Sequence, residues 1–434
     1  VAGAVLNPIN STLIAVALVP IGRSFGAGPG QTAWLISALY LATAVGQPVV
    51  GLLVDRYGAR RILLGGAVLV IAAGIAGMIP LSVGWLTGVR VVLGLGTCAG
   101  FPAAMAVLRH HAESSGAGRR VPARVLSLLS MSSQTVMVIG PTLGGLLIGR
   151  FGWPAIFAVN IPLATLSLVL ALLWVPKDDR GARTAAPIDV LGIVLFSATL
   201  LALLFFLMDP GADGWLLAVV AAFAVAFALV ELRRADPFLD LRMLAANGAI
   251  LRTYLRQALS FMAIYAIMFG YVQWLETARH LSEEAAGLML LPMSGTAVCA
   301  AAFSGRGTGI KARLVTVAVA LIGGSVLLLF VHDGTGIGAL LALAALFGLA
   351  QGLTSVANQT TLYQEAPAGQ MGTASGLFRT AQYLGAIVAS TLIALCYGPH
   401  ADSAGLHRLA IALVAISAAL LVVTVIDRGL RARA

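Results

Sequence analysis

A few charged and polar residues stand in runs otherwise too apolar to hold them, and chemistry can reside at those positions. Arg90 in RVVLGLGTCAGFP, Glu276 in YVQWLE and Arg379 in GLFRTAQYLG each lie within, or at the end of, a long apolar stretch. A charge inside a membrane costs about 2.5 to 3.5 kcal/mol even on the most lenient insertion scale, so such a group faces a cavity or a partner, or snorkels to the interface. Arg379 falls eight residues into the run 371–397, about 12 Å deep at helical rise. Ser375, Arg379, Gln382 and Ala386 share one helical face. Gln351, Ser355 and Asn358 make a second polar stripe, and Phe261, Tyr265, Met268 and Val272 an aromatic and apolar one, for which ordinary helix packing is the alternative. A site mostly apolar with a few placed polar groups suits an amphipathic organic solute. Glu276 has two open readings, a proton carrier or a solvated helix end.

The elements that must position these residues are membrane helices. Hydrophobic residues make up 59% of the 434 and charged ones only 10%, with a mean hydropathy of +0.97. That is far from a soluble domain. Apolar runs long enough for a bilayer core recur nearly end to end and predict fourteen helices. They include 2–21, 84–108, 124–149, 256–276, 336–362 and 371–397. The net charge of +10 does not mark a nucleic-acid binder, because most of the 27 basic residues cluster in alternate loops. Arg56, Arg60 and Arg61, then Arg109, Arg119, Arg120 and Arg124, then Arg306, Lys311 and Arg313 exemplify the rich side. By the positive-inside rule that side and both termini are cytoplasmic. Cys98, Cys299 and Cys396 read as small core residues. The six histidines are scattered without HExxH or zinc spacing, which argues against an enzyme, a metal or another cofactor, and no G-x4-G-K-[ST] implies ATP. The chain begins at Val1, so a few residues are expected before it, and its first apolar run is not read as a cleaved signal.

Between two of these runs lies GLLVDRYGARR, Gly51 to Arg61, a tight basic turn in which Gly51 and Gly58 allow close packing and reversal and Asp55 stands among Arg56, Arg60 and Arg61. It resembles the loop between the second and third helices of the major facilitator superfamily. Trp34, Tyr40 and Gln47, spaced W-x5-Y-x6-Q, are similar to the fourteen-helix drug:proton antiporters of that family, and Arg90 matches its R-x3-G-x-G segment. Gly140, Pro141, Gly144 and Gly145 resemble the exporters' G-x3-G-P-x-x-G-G signature, with Val136 in place of the first glycine. Pro and Gly there permit a kink and a close helix contact. One departure stands out: Asn10, in NSTLIAVAL, occupies the place of the antiporters' membrane Asp. An amide carries no proton between pH 5 and 8.

The resemblance implies an all-α polytopic membrane protein with the major facilitator fold. Weak internal echoes, Gly94-Leu95 with Gly348-Leu349 and Gln134 with Gln382, divide it into a six-helix bundle over 1–176, linkers and two inserted helices over 177–249, and a second six-helix bundle over 250–434. It further implies a cavity built from Asn10, Arg90, Gln134, Tyr265, Gln351, Asn358, Arg379 and Gln382, with proton coupling through Glu276 and Arg90. Asp55 is expected to meet the N-terminus of the run 371–397 and latch one state of an alternating-access cycle. The loop SGRGTGIKAR of the second half has no Asp, so one latch is expected. The expected activity is export of amphipathic compounds in exchange for protons, by a monomer in a bacterial inner membrane. The alternative is an organic-anion exporter or facilitator without that coupling.

Overall fold

A computed structural model describes residues 2–14, 17–27, 29–114, 132, 135–136, 140, 143–176, 189–208, 214–234, 237–281, 283–304, 309–367, 370–398 and 401–430. The helices in the first part of the chain are α1 (Ala2–Leu13), α2 (Leu18–Phe25), α3 (Pro29–Tyr57), α4 (Ala59–Gly77), α5 (Val83–Thr97), α6 (Gly100–Ser114), α7 (Ala155–Ala158), α8 (Asn160–Trp174), α9 (Val190–Met208), α10 (Trp215–Arg233) and α11 (Leu241–Ala246). Those that follow are α12 (Gly248–Thr277), α13 (Glu283–Met289), α14 (Leu291–Phe303), α15 (Ile310–Leu328), α16 (Ile337–Glu365), α17 (Met371–Tyr397) and α18 (Ser403–Ile426). A peptide group in hydrocarbon has no water to bond, and a helix satisfies it within its own segment. Among the described residues 12 helices are long and apolar enough to cross a membrane. The first apolar run, described as α1 and α2 with 15 and 16 outside the described residues, is not among them, and most of the run 124–149 also lies outside the described residues.

The chain forms two compact units. The first takes α1 to α6, α7 to α11 and residues Ala366–Thr380, the start of α17. Its centre is α3, α5 and α6: the spans Trp34–Tyr57 and Val83–Arg109 are 67% and 61% buried, against 22% and 11% for the spans in α9 and α10. The last two pack on each other through Phe196 and Phe227, 5.7 Å between rings, and reach α3 through Trp34 and Phe205, also 5.7 Å apart. Val190, Val194, Leu217, Val225 and Leu229 remain exposed on them. Apolar side chains turned outward along a whole helix are what contact with lipid requires.

The second unit holds Gly248–Glu365 and Ala381–Ala434. Its core gathers Phe261, Tyr271, Trp274, Leu321, Phe347 and Leu413. Without a hydrophobic force between helices in lipid, association rests on close packing at small residues. Gly348 and Gly352 of α16 supply it. A Cβ at either would run into the carbonyl oxygen of Met293 or Ala297 on α14. Gly295 of α14 has open space around it. Gly348→Val is therefore expected to destabilise the purified protein by about 1–3 kcal/mol through overpacking, whereas Gly295→Ala should be neutral or slightly stabilising, both read as shifts in thermal unfolding in detergent.

Candidate functional site

At the end of α3 the chain reverses through Gly58, whose φ of 95° suits glycine alone, and re-enters helix at Ala59. Asp55 stands on the last turn before that reversal. Its Oδ1 accepts the Gly372 N–H at 2.8 Å, and its Oδ2 accepts the Thr373 N–H and the Thr373 hydroxyl, each at 2.8 Å. Those donors open α17, where the first N–H groups have no intrahelical acceptor and the helix dipole favours an anion. Gly51, one turn earlier, has no room for a Cβ against the Gly372 carbonyl, so α3 and the start of α17 touch backbone to backbone. Arg109, five residues before the end of α6 and 4% exposed, donates to Pro367 O at 2.9 Å and Ala366 O at 3.4 Å on the approach to the same helix. Arg60 caps α8 instead, donating to Leu172 O at 2.7 Å and Val175 O at 2.9 Å. Arg56 is half-buried and Arg61 exposed.

Deeper in the first unit, Asn10 and Arg90 come together. Asn10 Nδ2 donates to Asn160 Oδ1 at 2.6 Å and to Leu6 O at 2.8 Å. Arg90, 2% exposed, donates from Nε to Leu35 O at 3.0 Å and from Nη1 to Asn10 O at 3.1 Å. Its Nη2 has no partner among the described residues. The guanidinium is thus solvated by neutral carbonyls. Asn7 adds a bond to Thr97 Oγ1 at 3.0 Å. Gly140 meets Thr12, Gly144 is buried and Gly145 exposed; Pro141 and Gln134 lie outside the described residues. Arg379 sits with its guanidinium carbon 3.9 Å from the Phe101 ring centre, a cation–π contact.

In the second unit the polar stripes of α16 and α17 meet Gln257 and Tyr265 of α12. Asn358 Nδ2 donates to Gln257 Oε1 at 3.0 Å, Gln257 Nε2 to Gln382 Oε1 at 3.3 Å, and Gln382 Nε2 to the Tyr265 hydroxyl at 3.4 Å. Phe261 and Phe269 flank Tyr265, each 5.8 Å away between rings. Asn358 Oδ1, Ser260 Oγ and Thr354 Oγ1 are buried without a partner among the described residues. Gln351 is also buried. The arrangement offers uncharged donors and acceptors beside aromatic faces. The backbone of Glu276 belongs to the last turn of α12, but its side chain lies outside what is described.

A charge network closes one end of this unit. Arg256, fully buried, pairs with Asp427 at 2.6 Å and donates to Thr253 Oγ1 at 2.6 Å, and Thr253 donates to Glu365 at 2.8 Å. Arg252 takes the other Asp427 oxygen at 3.0 Å. Burial alone would push the Asp427 carboxyl up, but the hydrogen bonds and charges of Arg252 and Arg256 hold it below the usual carboxylate range. Among the described residues no three His, Cys, Asp or Glu side chains gather as a metal site.

Asn160, Gln257 and the Arg256–Asp427 pair are not among the candidates in the sequence, and Arg109 reads there as a loop charge. Gln257 had a usable signal, since it extends the Phe261–Tyr265 stripe by one turn. For Arg256 and Asp427, 171 residues apart, there was none.

The profile of the Major Facilitator Superfamily matches residues 1–390. The uncharacterized MFS-type transporter YwoD of Bacillus subtilis is 33% identical over 435 residues, 98% of this chain and 94% of its own length. The multidrug efflux pump LfrA of Mycolicibacterium smegmatis is 30% identical over 89% of this chain and 77% of its own. The solved structure of the human organic anion transporter MFSD10 superimposes with a TM-score of 0.69 over 97% of this chain and 98% of that one, at 14% identity, a likeness of fold.

Asp55→Ala removes the acceptor of three hydrogen bonds at the start of α17. With 1.5–3 kcal/mol typical of a bond to a charged group, amide exchange at Gly372 and Thr373 is expected to quicken about tenfold to a hundredfold, measured by hydrogen–deuterium exchange. For Asp427 the sign follows from its depressed folded-state value. Its stabilising effect is complete above the ordinary value of 3.8 and is lost as pH falls below it toward the folded-state value. Unfolding midpoints should therefore fall in that acid window for the wild type and stay flatter for Asp427→Asn.

Proposed function

Because the chain belongs to the Major Facilitator Superfamily, we propose that this integral membrane transporter, which is not an enzyme, exports small amphipathic organic compounds by alternating access, driven by proton antiport. The observation that carries the reading is the Gln257, Asn358, Gln382 and Tyr265 cluster, whose uncharged hydrogen-bonding groups lie beside Phe261 and Phe269. Such a surface holds an amphipathic molecule through shape, apolar area and a few polar contacts. The relative LfrA, a multidrug efflux pump, supports the direction. Asp55 at the start of α17 would act as the latch of one conformational state, with Gly51, Arg56, Gly58, Arg60 and Arg61 shaping its turn. Glu276 is the proposed proton carrier with Arg90 as its neighbour in function. The same reading takes the chain as fourteen membrane helices, six over 1–176, an inserted pair within 177–249 and six over 250–434. It places the protein as a monomer in a bacterial inner membrane with both termini cytoplasmic.

A second reading is favoured by the centre of the first unit. Arg90 is buried without a carboxylate partner among the described residues, and Asn10 beside it cannot carry a proton. A retained positive charge of this kind suits an organic anion moved by exchange or facilitated diffusion, with Arg379 as a further contact.

Purified protein in liposomes containing a pH-sensitive dye separates the two. Proton flux triggered by lipophilic cations or neutral drugs supports antiport, and Glu276→Gln should then stop uphill transport while leaving downhill exchange. Transport restricted to anions without proton flux supports the second reading, and Arg379→Ala should then abolish it. Asn10→Asp introduces a carboxylate on the residue whose backbone carbonyl accepts from Arg90. It is expected to add a proton-dependent component to transport under the second reading, scored as dye response in the same liposomes.

A further inference from the structure

In the second unit, α14 and α16 leave an open groove of about 620 Å³ whose origin is legible in the packing. Gly348 and Gly352 draw the two helices into backbone contact, so the seam between them is floored by Ala300 and Ala345 while Phe303, Leu346 and Leu349 rise as walls. Phe303 and Leu349 are exposed, and so is Cys299 along the groove. Exposed apolar walls of this kind, in a chain that spans a membrane, suit contact with hydrocarbon rather than water. Among the described residues the groove's lining is otherwise apolar or uncharged, contains no acidic side chain, and ends at the cation Arg313. Arg313 lies in the first turn of α15 and donates from Nη1 to Ser304 O at 2.6 Å. That helix begins at Gly309 without a side-chain cap, so its first N–H groups add partial positive charge at the same end. A hydrocarbon-lined trough closed by a positive end fits a molecule with an apolar tail and an anionic head.

We propose that this groove is a binding site for an anionic phospholipid of the leaflet adjoining Arg313, with one acyl chain along the α14–α16 seam and the phosphate at Arg313. Basic pockets between membrane helices bind such headgroups. The site is independent of the solute cluster on α12, α16 and α17, and its test requires no transport.

Cys299 reports on the groove, because Cys98 and Cys396 are buried. The full chain is reconstituted in vesicles of phosphatidylcholine alone or of phosphatidylcholine with phosphatidylglycerol, and labelled with a lipophilic maleimide, with Cys299→Ser as the blank. Labelling is expected to be roughly fivefold slower with phosphatidylglycerol, the effect of one basic residue near an anionic headgroup. Arg313→Gln should remove that difference and Arg313→Lys should keep it. Equal rates in the two vesicles, or protection that persists in Arg313→Gln, would overturn the proposal and mark ordinary annular lipid. Native mass spectrometry of the detergent-purified protein gives a second readout that does not depend on the folding of Arg313→Gln. Phosphatidylglycerol should be retained over phosphatidylcholine on the wild type and lost from Ala345→Phe, which fills the groove while leaving Arg313 in place. Retention on Ala345→Phe equal to wild type would equally refute the site.

Discussion

A peptide group in hydrocarbon must find its hydrogen bond inside the protein, and everything specific in this chain is built around that demand. Helices satisfy the backbone, which leaves side chains and helix ends as the places where polarity can be used. The ends are where it is used first. The opening N–H groups of α17 are taken by Asp55, the closing carbonyls of α8 by Arg60, and the carbonyls before α17 by Arg109. A single turn of sequence, Gly51 to Arg61, thus serves two different helix termini with opposite charges, as the helix dipole dictates.

The same demand sets where helices can approach. Glycine at Gly51, Gly348 and Gly352 brings backbones together, and where they do so, larger neighbours stand proud of the seam. In the second unit that contrast makes an open groove, while the polar stripes of α16 and α17 meet at Gln257 of α12. Close packing and polar clustering are therefore two results of one spacing rule, since residues three and four apart share a face whether they are Gly, Gln or Phe.

This also explains what the sequence discloses and what it withholds. Apolar length makes the long helices legible, and the glycines and charge order of the basic turn, by their resemblance to the family's loop, make Asp55 a candidate. Periodicity on one helix made Asn358, Gln382 and Tyr265 candidates too. Partnership between helices is another matter. Asn10 meets Asn160 across 150 residues, and Arg256 meets Asp427 across 171, distances over which no local pattern operates. Arg109 shows the limit from the other side: in sequence it is a topogenic charge at a loop, and in the fold its guanidinium is buried on backbone carbonyls.

The two buried arginines show how differently the same cost can be met. Arg256 is neutralised by Asp427 and flanked by Thr253, an arrangement in which removing either partner strands a charge. Arg90 is held by the carbonyls of Leu35 and Asn10, dipoles rather than a counter-ion, and one of its nitrogens is still without a partner among the described residues. A paired arginine has little attraction left for a third group. A carbonyl-solvated one keeps most of its field, so of the two it is Arg90 whose charge reaches beyond its own partners. Asn10, an amide that carries no proton between pH 5 and 8, sets no counter-charge against it.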